Sequence, residues 1–312
     1  MASLKNTIIN DTGYLQLPSG TTAQRPSSPA TGYMRRNTTE GHTEVYDGSA
    51  WVELGETTAG PYSVDFLVAA GGGGGGPYID GGGGAGGLRT SYGSTSGGGA
   101  SAETDLILSP GTQYAITIGG GGAGAILSPT NDNPANGNNS IFSTITSIGG
   151  GAASGFGTFS AQNGGSGGGT RYQTSPVGQG TVGQGFAGGL GNPTSTTYGG
   201  GGGGAAGVGN GTGNGQAGLG LAVSITGSSL TYSTGGAGGI AASGNGVSGA
   251  NNTGNGGQGN GQQDVGGNGG SGIVILRMPT ANYSGTTTGN PTVSTDGTDT
   301  ILTYTSSGTY TA

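Results

Sequence analysis

The chain has 312 residues, of which 82 are glycine and none is cysteine, and 14 acidic against 7 basic side chains leave a net charge of -7. Without cysteine there is no disulfide, thiolate metal site or thiol nucleophile, and seven scattered cations give no footprint for nucleic acid. Leu, Ile, Val and Phe make up less than a fifth of the chain, a fraction that accompanies disorder only when net charge is high; 12 prolines and no strict Gly-X-Y repeat exclude collagen.

Residues 1–58 read as a separate module of ordinary composition. Thr7-Ile8-Ile9 and Tyr14-Leu15-Gln16-Leu17 have strand character, and three prolines between Pro18 and Pro29 forbid helix in the extended segment that follows. A meander comes next: Tyr33 to Arg36, Thr43 to Tyr46, the turn Asp47-Gly48, and Trp51 to Leu54. Tyr33, Val45, Tyr46, Trp51 and Leu54 present more apolar surface than so small a meander can bury alone, so this module is expected to oligomerise. His42, the only histidine, lies opposite turn residues within it, which leaves a serine hydrolase without a placed base. The first residues, Met-Ala-Ser-Leu-Lys-Asn-Thr, lack a signal-peptide apolar region, so synthesis and assembly in the cytoplasm are expected.

Residues 59–280 form a glycine-rich domain. Val64 to Ala70 runs into Gly71 to Gly76, and a second glycine run feeds Ile273 to Leu276; these two strands are expected side by side. Non-glycine positions fall every third residue at Ser166, at Ala237 and Ile240, and at Asn268 and Ser271. Three is the period of an extended polyproline-II-type helix, whose backbone groups point outward and bond to neighbours when only glycine lies between. The expected fold class is therefore all-β with extended polyglycine-II-type helices, with the every-third residues on the outer face. Gly207 to Gly215 alternates with period two, which fits an edge or tip loop and tolerance of alanine at Gly211. Leu106 to Leu108 and Tyr114 to Ile118 read as a hairpin, Ser140 to Thr146 and Leu221 to Tyr232 as further β-segments, and residues 281–312 as a C-terminal hairpin segment built on Thr292 to Thr295 and Thr300 to Tyr304.

No site chemistry emerges. Gly-x-Gly-x-x-Gly matches recur without a following helix or a glycine-lysine pair, and Asp65, Asp80, Glu103, Asp105 and Asp132 form no spaced calcium ladder. No catalytic residue, metal or cofactor is expected. No apolar stretch approaches the roughly 20 residues of a membrane span. Arg171 is the only charge between Asn133 and Gln263 and stands beside Tyr172, with Phe156, Phe159, Phe186 and Tyr198 nearby among glycines. Aromatics without apolar neighbours are poor core builders and good ligand platforms; the same residues also suit lids over the glycine segments. Arg89 and Tyr92 are a second set of the same kind.

The run Leu17-Pro18-Ser19-Gly20-Thr21-Thr22-Ala23-Gln24-Arg25-Pro26, continuing through Gly32-Tyr33-Met34-Arg35 to Glu44-Val45-Tyr46-Asp47-Gly48-Ser49-Ala50-Trp51, resembles an N-terminal module of bacteriophage tail-fibre and virion-fibre proteins. Residues 62–279 resemble the glycine-rich adhesin domains of phage fibres. The resemblance implies a non-enzymatic virion protein, commonly a homotrimer. It would attach to other virion proteins through residues 1–58 and meet a host glycan or outer-membrane protein through loops of the glycine-rich domain. A purely structural or self-assembling fibre is the alternative, and a glycan depolymerase would need a carboxylate pair roughly 5 to 9.5 Å apart.

Overall fold

The computed structural model describes residues 16–54, 60–126, 132–155, 158–171, 176–192, 198–211, 215–241, 244–261 and 265–312. The expected strands at residues 7–9 and the start of the one at Tyr14 lie outside them. The chain divides into two compact units, Met1–Gly60 and Pro61–Ala312. The described residues are all-β, with several sheets and only three short 3-10 turns.

In the first unit β1 (Ser19–Gly20), β2 (Met34–Asn37), β3 (Thr43–Tyr46) and β4 (Trp51–Glu53) form one sheet in that order, with β1 parallel to β2 and the rest antiparallel. Its burial runs opposite to the usual pattern. Side chains alternate between faces, and the covered face carries Arg35, Asn37 and Glu44, with Glu44 fully buried. The Pro18–Pro26 segment makes this possible: Arg25 reaches back to Glu44 at 2.5 Å and to Glu40 at 2.9 Å. Hydrogen bonding from Arg25 outweighs burial and holds the Glu44 carboxyl below its ordinary range. The opposite face carries Met34, Val45 and Val52 in one cross-strand row, with Leu54 beyond. Of the residues expected to oligomerise, Val45 and Leu54 thus share one face, while Tyr33, Tyr46 and Trp51 align on the other.

The second unit is centred on β5 (Tyr62–Ala69), flanked by β13 (Ile273–Pro279) as expected, with Leu67 opposite Ile275. β6 (Leu88–Thr90) and β7 (Leu106–Leu108) pair successive halves of the other edge of β5. β8 (Gln113–Thr117) pairs β9 (Ser140–Phe142), which turns back as β10 (Ile145–Ser147), while β11 (Leu221–Val223) and β12 (Leu230–Tyr232) form a hairpin. The last strands are β14 (Thr286–Thr288), β15 (Thr292–Asp296), β16 (Asp299–Tyr304) and β17 (Gly308–Thr311). The 281–312 segment belongs to the same compact unit: β15 and β16 extend the central sheet beyond β13, and β17 inserts between β8 and β14. The expected hairpin of β7 with β8 is corrected, because each takes a distant partner instead, β5 and β17 respectively.

Both faces of β5 are buried from Phe66 to Ala69, as that unbroken apolar run requires, while the Tyr62–Asp65 half alternates, with Ser63 exposed. Val64, Phe66 and Val68 meet Ile116, Phe142 and Tyr310 of the second sheet, and Leu67 and Ala69 meet Val223, Ile225 and Tyr232 on the other side. The Tyr62 and Tyr310 hydroxyls close this core with a 2.7 Å hydrogen bond.

From these strand ends the glycine segments run outward side by side. The N-H groups of residues 82 to 87 donate in turn to the carbonyls of Gly200, Gly257, Gly151, Gly203, Gly254 and Ile148 at 2.8–2.9 Å. Three neighbours are thus visited in rotation, twice over. Residues 71 to 76 do the same, donating to Asn138, Gly270, Gly84, Ala135, Gly267 and Gly81. Backbone bonding of this density replaces an apolar core, and it leaves no room for side chains: a Cβ on Gly73 would lie 2.2 Å from the Gly151 carbonyl oxygen. On outer segments every third residue does face out, as at Thr234, Ala237 and Ile240, or Val265, Asn268 and Ser271. Ser166 departs from the expectation. It lies on an inner segment, is fully buried, and its hydroxyl has no hydrogen-bond partner. Asparagine carboxamides stand in for missing neighbours at the margins: Asn136, Asn139, Asn255 and Asn268 accept from Ala152, Gly149, Thr234 and Gly124 through Oδ1.

The described part of the period-two stretch, residues 207–211, is an edge segment with Val208 exposed, but Gly209 is buried and a Cβ on Gly211 would lie 1.6 Å from the Leu190 carbonyl oxygen; residues 212–214 lie outside the described residues. The expected tolerance of alanine at Gly211 is therefore corrected.

Candidate functional site

The glycine segments have a strand end, near Ala70, Gly87, Ile148 and Gln184, and a far end, near Gly76, Ser154, Thr170 and Asn260, as the order of their hydrogen bonds requires. At the far end the chain between Gly76 and Gly81 makes a tight turn. Tyr78 and Ile79 both have positive φ, 49° and 55°, a conformation that costs a β-branched residue on the order of 1–3 kcal/mol. Asn260 holds the turn in place: its Oδ1 accepts from the Tyr78 N-H at 2.7 Å and its backbone oxygen from the Ile79 N-H at 2.9 Å.

Asp80 closes this turn and is buried, accepting from the Gly81 N-H at 2.7 Å and from the Ser154 hydroxyl. Ser154 Oγ in turn accepts from the Arg171 N-H at 2.9 Å. Burial pushes the Asp80 carboxyl up to about 7, opposed by the Ser154 and Gly81 hydrogen bonds and by the Arg171 charge. The Arg171 guanidinium carbon lies 5.1 Å from the Tyr78 ring centroid, within cation–π range. Tyr78, 43% exposed, is the aromatic partner of Arg171 that sequence reasoning missed. Its signal was present in Pro77-Tyr78-Ile79-Asp80, the one interruption of a glycine run between Gly71 and Gly84.

The expected site residues separate. Tyr172 and Phe156 lie outside the described residues. Half-buried Phe159, whose carbonyl accepts from the Gly155 N-H, and Tyr198, bridged to Ile240, are at the far end with Arg171. Phe186 is near the strand end, where its N-H donates to the Gly204 carbonyl and its ring covers Gly99. Arg89 and Tyr92 also stay at the strand end. Arg89 pairs with Glu103 at 2.6 Å, and Tyr92 lies under Arg277, which Asp296 and Asp299 hold at 2.8 Å each.

Two other clusters could carry chemistry. Asp65 on β5 has its carboxyl raised, chiefly by burial and then by Asp105 within hydrogen-bonding range, with the Ser91 hydroxyl opposing. That closeness leaves no room for the water or substrate between two glycosidase carboxylates. Glu40, His42 and Glu44 bring ligand-type atoms within 4.8 Å of one another, but Arg25 already occupies both carboxylates.

A family model described as a glycine-rich domain matches residues 52–279. No curated protein matches the chain.

Proposed function

The chain belongs to the glycine-rich domain family, and from that premise we propose that it is a non-enzymatic phage fibre or adhesin built on a lattice of polyglycine-II-type helices. The N-terminal module is the virion attachment and oligomerisation element, with a homotrimer as the assembly. The far end of the lattice meets a host glycan or outer-membrane protein. The period-three rotation of hydrogen bonds supports the helix type, since a threefold extended helix presents successive N-H groups to three neighbours. The observation that carries the adhesive reading is the Arg171–Tyr78 contact at the far end. An exposed aromatic with a guanidinium over it suits a polar, partly apolar ligand face. The bonded backbone behind it lowers the entropy lost on binding.

The test is adsorption of the labelled full chain to a panel of bacterial cells. Tyr78→Ala with Arg171→Ala is expected to fold and to bind susceptible cells at least about tenfold more weakly, equivalent to roughly 1.4 kcal/mol. A folded double variant that adsorbs like the parent overturns the tip as the contact surface. Failure of the parent to bind any cell favours the purely structural fibre.

A further inference from the structure

A groove of about 630 Å³ opens in the N-terminal unit between the Pro18–Pro26 segment and the aromatic row of the sheet. That volume falls in the range of roughly 300 to 1,000 Å³ usual for small-molecule sites. Its apolar walls are Pro18, Pro26, Tyr33 and Trp51, and Ser19, Gln24 and Arg35 add polar groups. Tyr33 is 52% exposed, so a flat ring face is available to a ligand.

Arg35 gives the groove its chemical character. It is only 6% exposed, yet among the described residues the one hydrogen bond it donates goes from Nη2 to the Thr21 carbonyl at 2.9 Å. Its Nε lies 3.4 Å from Glu44 Oε1, near enough for attraction between charges but unaligned as a hydrogen bond, and so lacks a partner. Arg25 is the reason, because it donates to both Glu44 oxygens, with the Asn37 amide on Oε2 as well, and leaves Arg35 a minor share of that carboxylate. A guanidinium has five N-H donors, and a buried cation with incomplete pairing favours an anion beside it. The same guanidinium lies 6.0 Å from the Trp51 ring centroid, so charge and aromatic surface meet at one place.

We propose that this groove is a second binding site, for an acidic saccharide whose pyranose face stacks on Tyr33 and Trp51 while its carboxylate turns toward Arg35. A wholly apolar occupant would give the Arg35 guanidinium no further acceptor, whereas a carboxylate adds a second anion to a cation that shares Glu44 with Arg25. Pyranose C-H faces and hydroxyls together match the alternation of ring surface with Ser19 and Gln24. The site is independent of the far-end reading, since all its residues lie in the other compact unit.

Trp51 is the only tryptophan in the chain, so its fluorescence reports on this groove alone. The full chain is titrated with trigalacturonic acid, with neutral maltotriose, with acetate and with a proline-rich decapeptide. Trigalacturonic acid is expected to give a saturable change, maltotriose one at least about tenfold weaker, and acetate and the peptide none. Arg35→Gln can unfold the unit by removing the Thr21 tie, so Tyr33→Ala, at an exposed position, carries the mutational test. It is expected to keep the parent melting temperature and to lose at least about tenfold in affinity for trigalacturonic acid. Equal responses to the two saccharides, saturation by the peptide instead, a silent Trp51, or parent-like affinity in folded Tyr33→Ala would each overturn the proposal.

Discussion

The Arg171 guanidinium sits over the Tyr78 ring at 5.1 Å, joining the turn between Gly76 and Gly81 to the end of a glycine segment distant in sequence. The same two segments are tied beneath by the Arg171 N-H to Ser154 to Asp80 relay. Because Tyr78 is substantially exposed, the ring contact itself should be worth about 0.5–1 kcal/mol. A double-mutant cycle on unfolding, with Tyr78→Ala, Arg171→Ala and the pair, should return a coupling of that size. Strict additivity would mean that the ring and the guanidinium do not hold the turn together.

Substitution at glycine should depend on position far more than helix propensity implies. A Cβ on Gly236 would lie 2.0 Å from the Gly257 oxygen, and one on Gly270 2.0 Å from the Ala250 oxygen, whereas one on Gly120 meets only the Asn138 amide at 3.6 Å. Alanine at Gly236 or Gly270 has to push a neighbouring segment away and break backbone bonds, at a cost of more than about 2 kcal/mol. Gly120→Ala should be close to neutral, and Gly211→Ala belongs with the damaging group. Chemical denaturation of the four variants checks the order, and similar small shifts throughout would refute close packing as the source of stability.

The sequence pattern announced most strands of the second unit, because apolar runs and glycine runs differ sharply here, but not the short β6 and β14, of which Thr286–Thr288 has no apolar residue. It also placed β5 beside β13, since β5 runs into glycine, β13 emerges from it, and Phe66 to Ala69 and Ile273 to Leu276 are apolar without alternation. Pairing by proximity failed for β7 and β8. Their turn allows a hairpin, but Leu108 and Ile116 are buried by β5 and β17 instead. Period three identified which residues share a side of a segment but not how many neighbours surround it, and so Ser166 was placed outside. The far-end site was half legible. Arg171 stood out by charge, while Tyr78 is joined to it only by segments running the whole length of the domain. The role of Asn260 in holding that turn has no local sequence signal.

Stability should fall as pH rises through the range set by Asp80. Burial raises its folded pKa to about 7, well above the ordinary aspartate value of about 3.9. Below about pH 4 the group is protonated in both states. Between about 4 and 7 the folded state holds a proton that the unfolded state has lost, so stability declines with pH, and above about 7 the loss is complete. The accumulated change is about 4 kcal/mol, roughly three pKa units at about 1.4 kcal/mol each. Asp80→Asn keeps a hydrogen-bonding side chain without the charge and should remove most of this slope. The comparison of parent and Asp80→Asn melting between pH 4 and 8 isolates this group from the other carboxylates, and parallel curves would rule Asp80 out as the cause.

Assembly should reside in the apolar face of the N-terminal sheet. Arg35, Asn37 and Glu44 take the covered face, so Met34, Val45, Val52 and Leu54 are left on the other, with Val52 40% and Leu54 46% exposed. A sheet that buries its charges and displays its apolar row gains most when that row meets a second copy, since each Å² of apolar area removed from water contributes roughly 25 cal/mol. Charges placed there should break the contact without disturbing the buried Arg25–Glu44 pair on the other side. Light scattering should therefore find the full chain oligomeric, and both the Val52→Lys, Leu54→Lys double variant and a 60–312 fragment monomeric. The fragment is a useful comparison because residues 61–312 form a compact unit with its own two cores. A 60–312 fragment that runs as the full oligomer would move assembly into the glycine domain, whose outer segments still carry exposed backbone along Gly120 and Ala123.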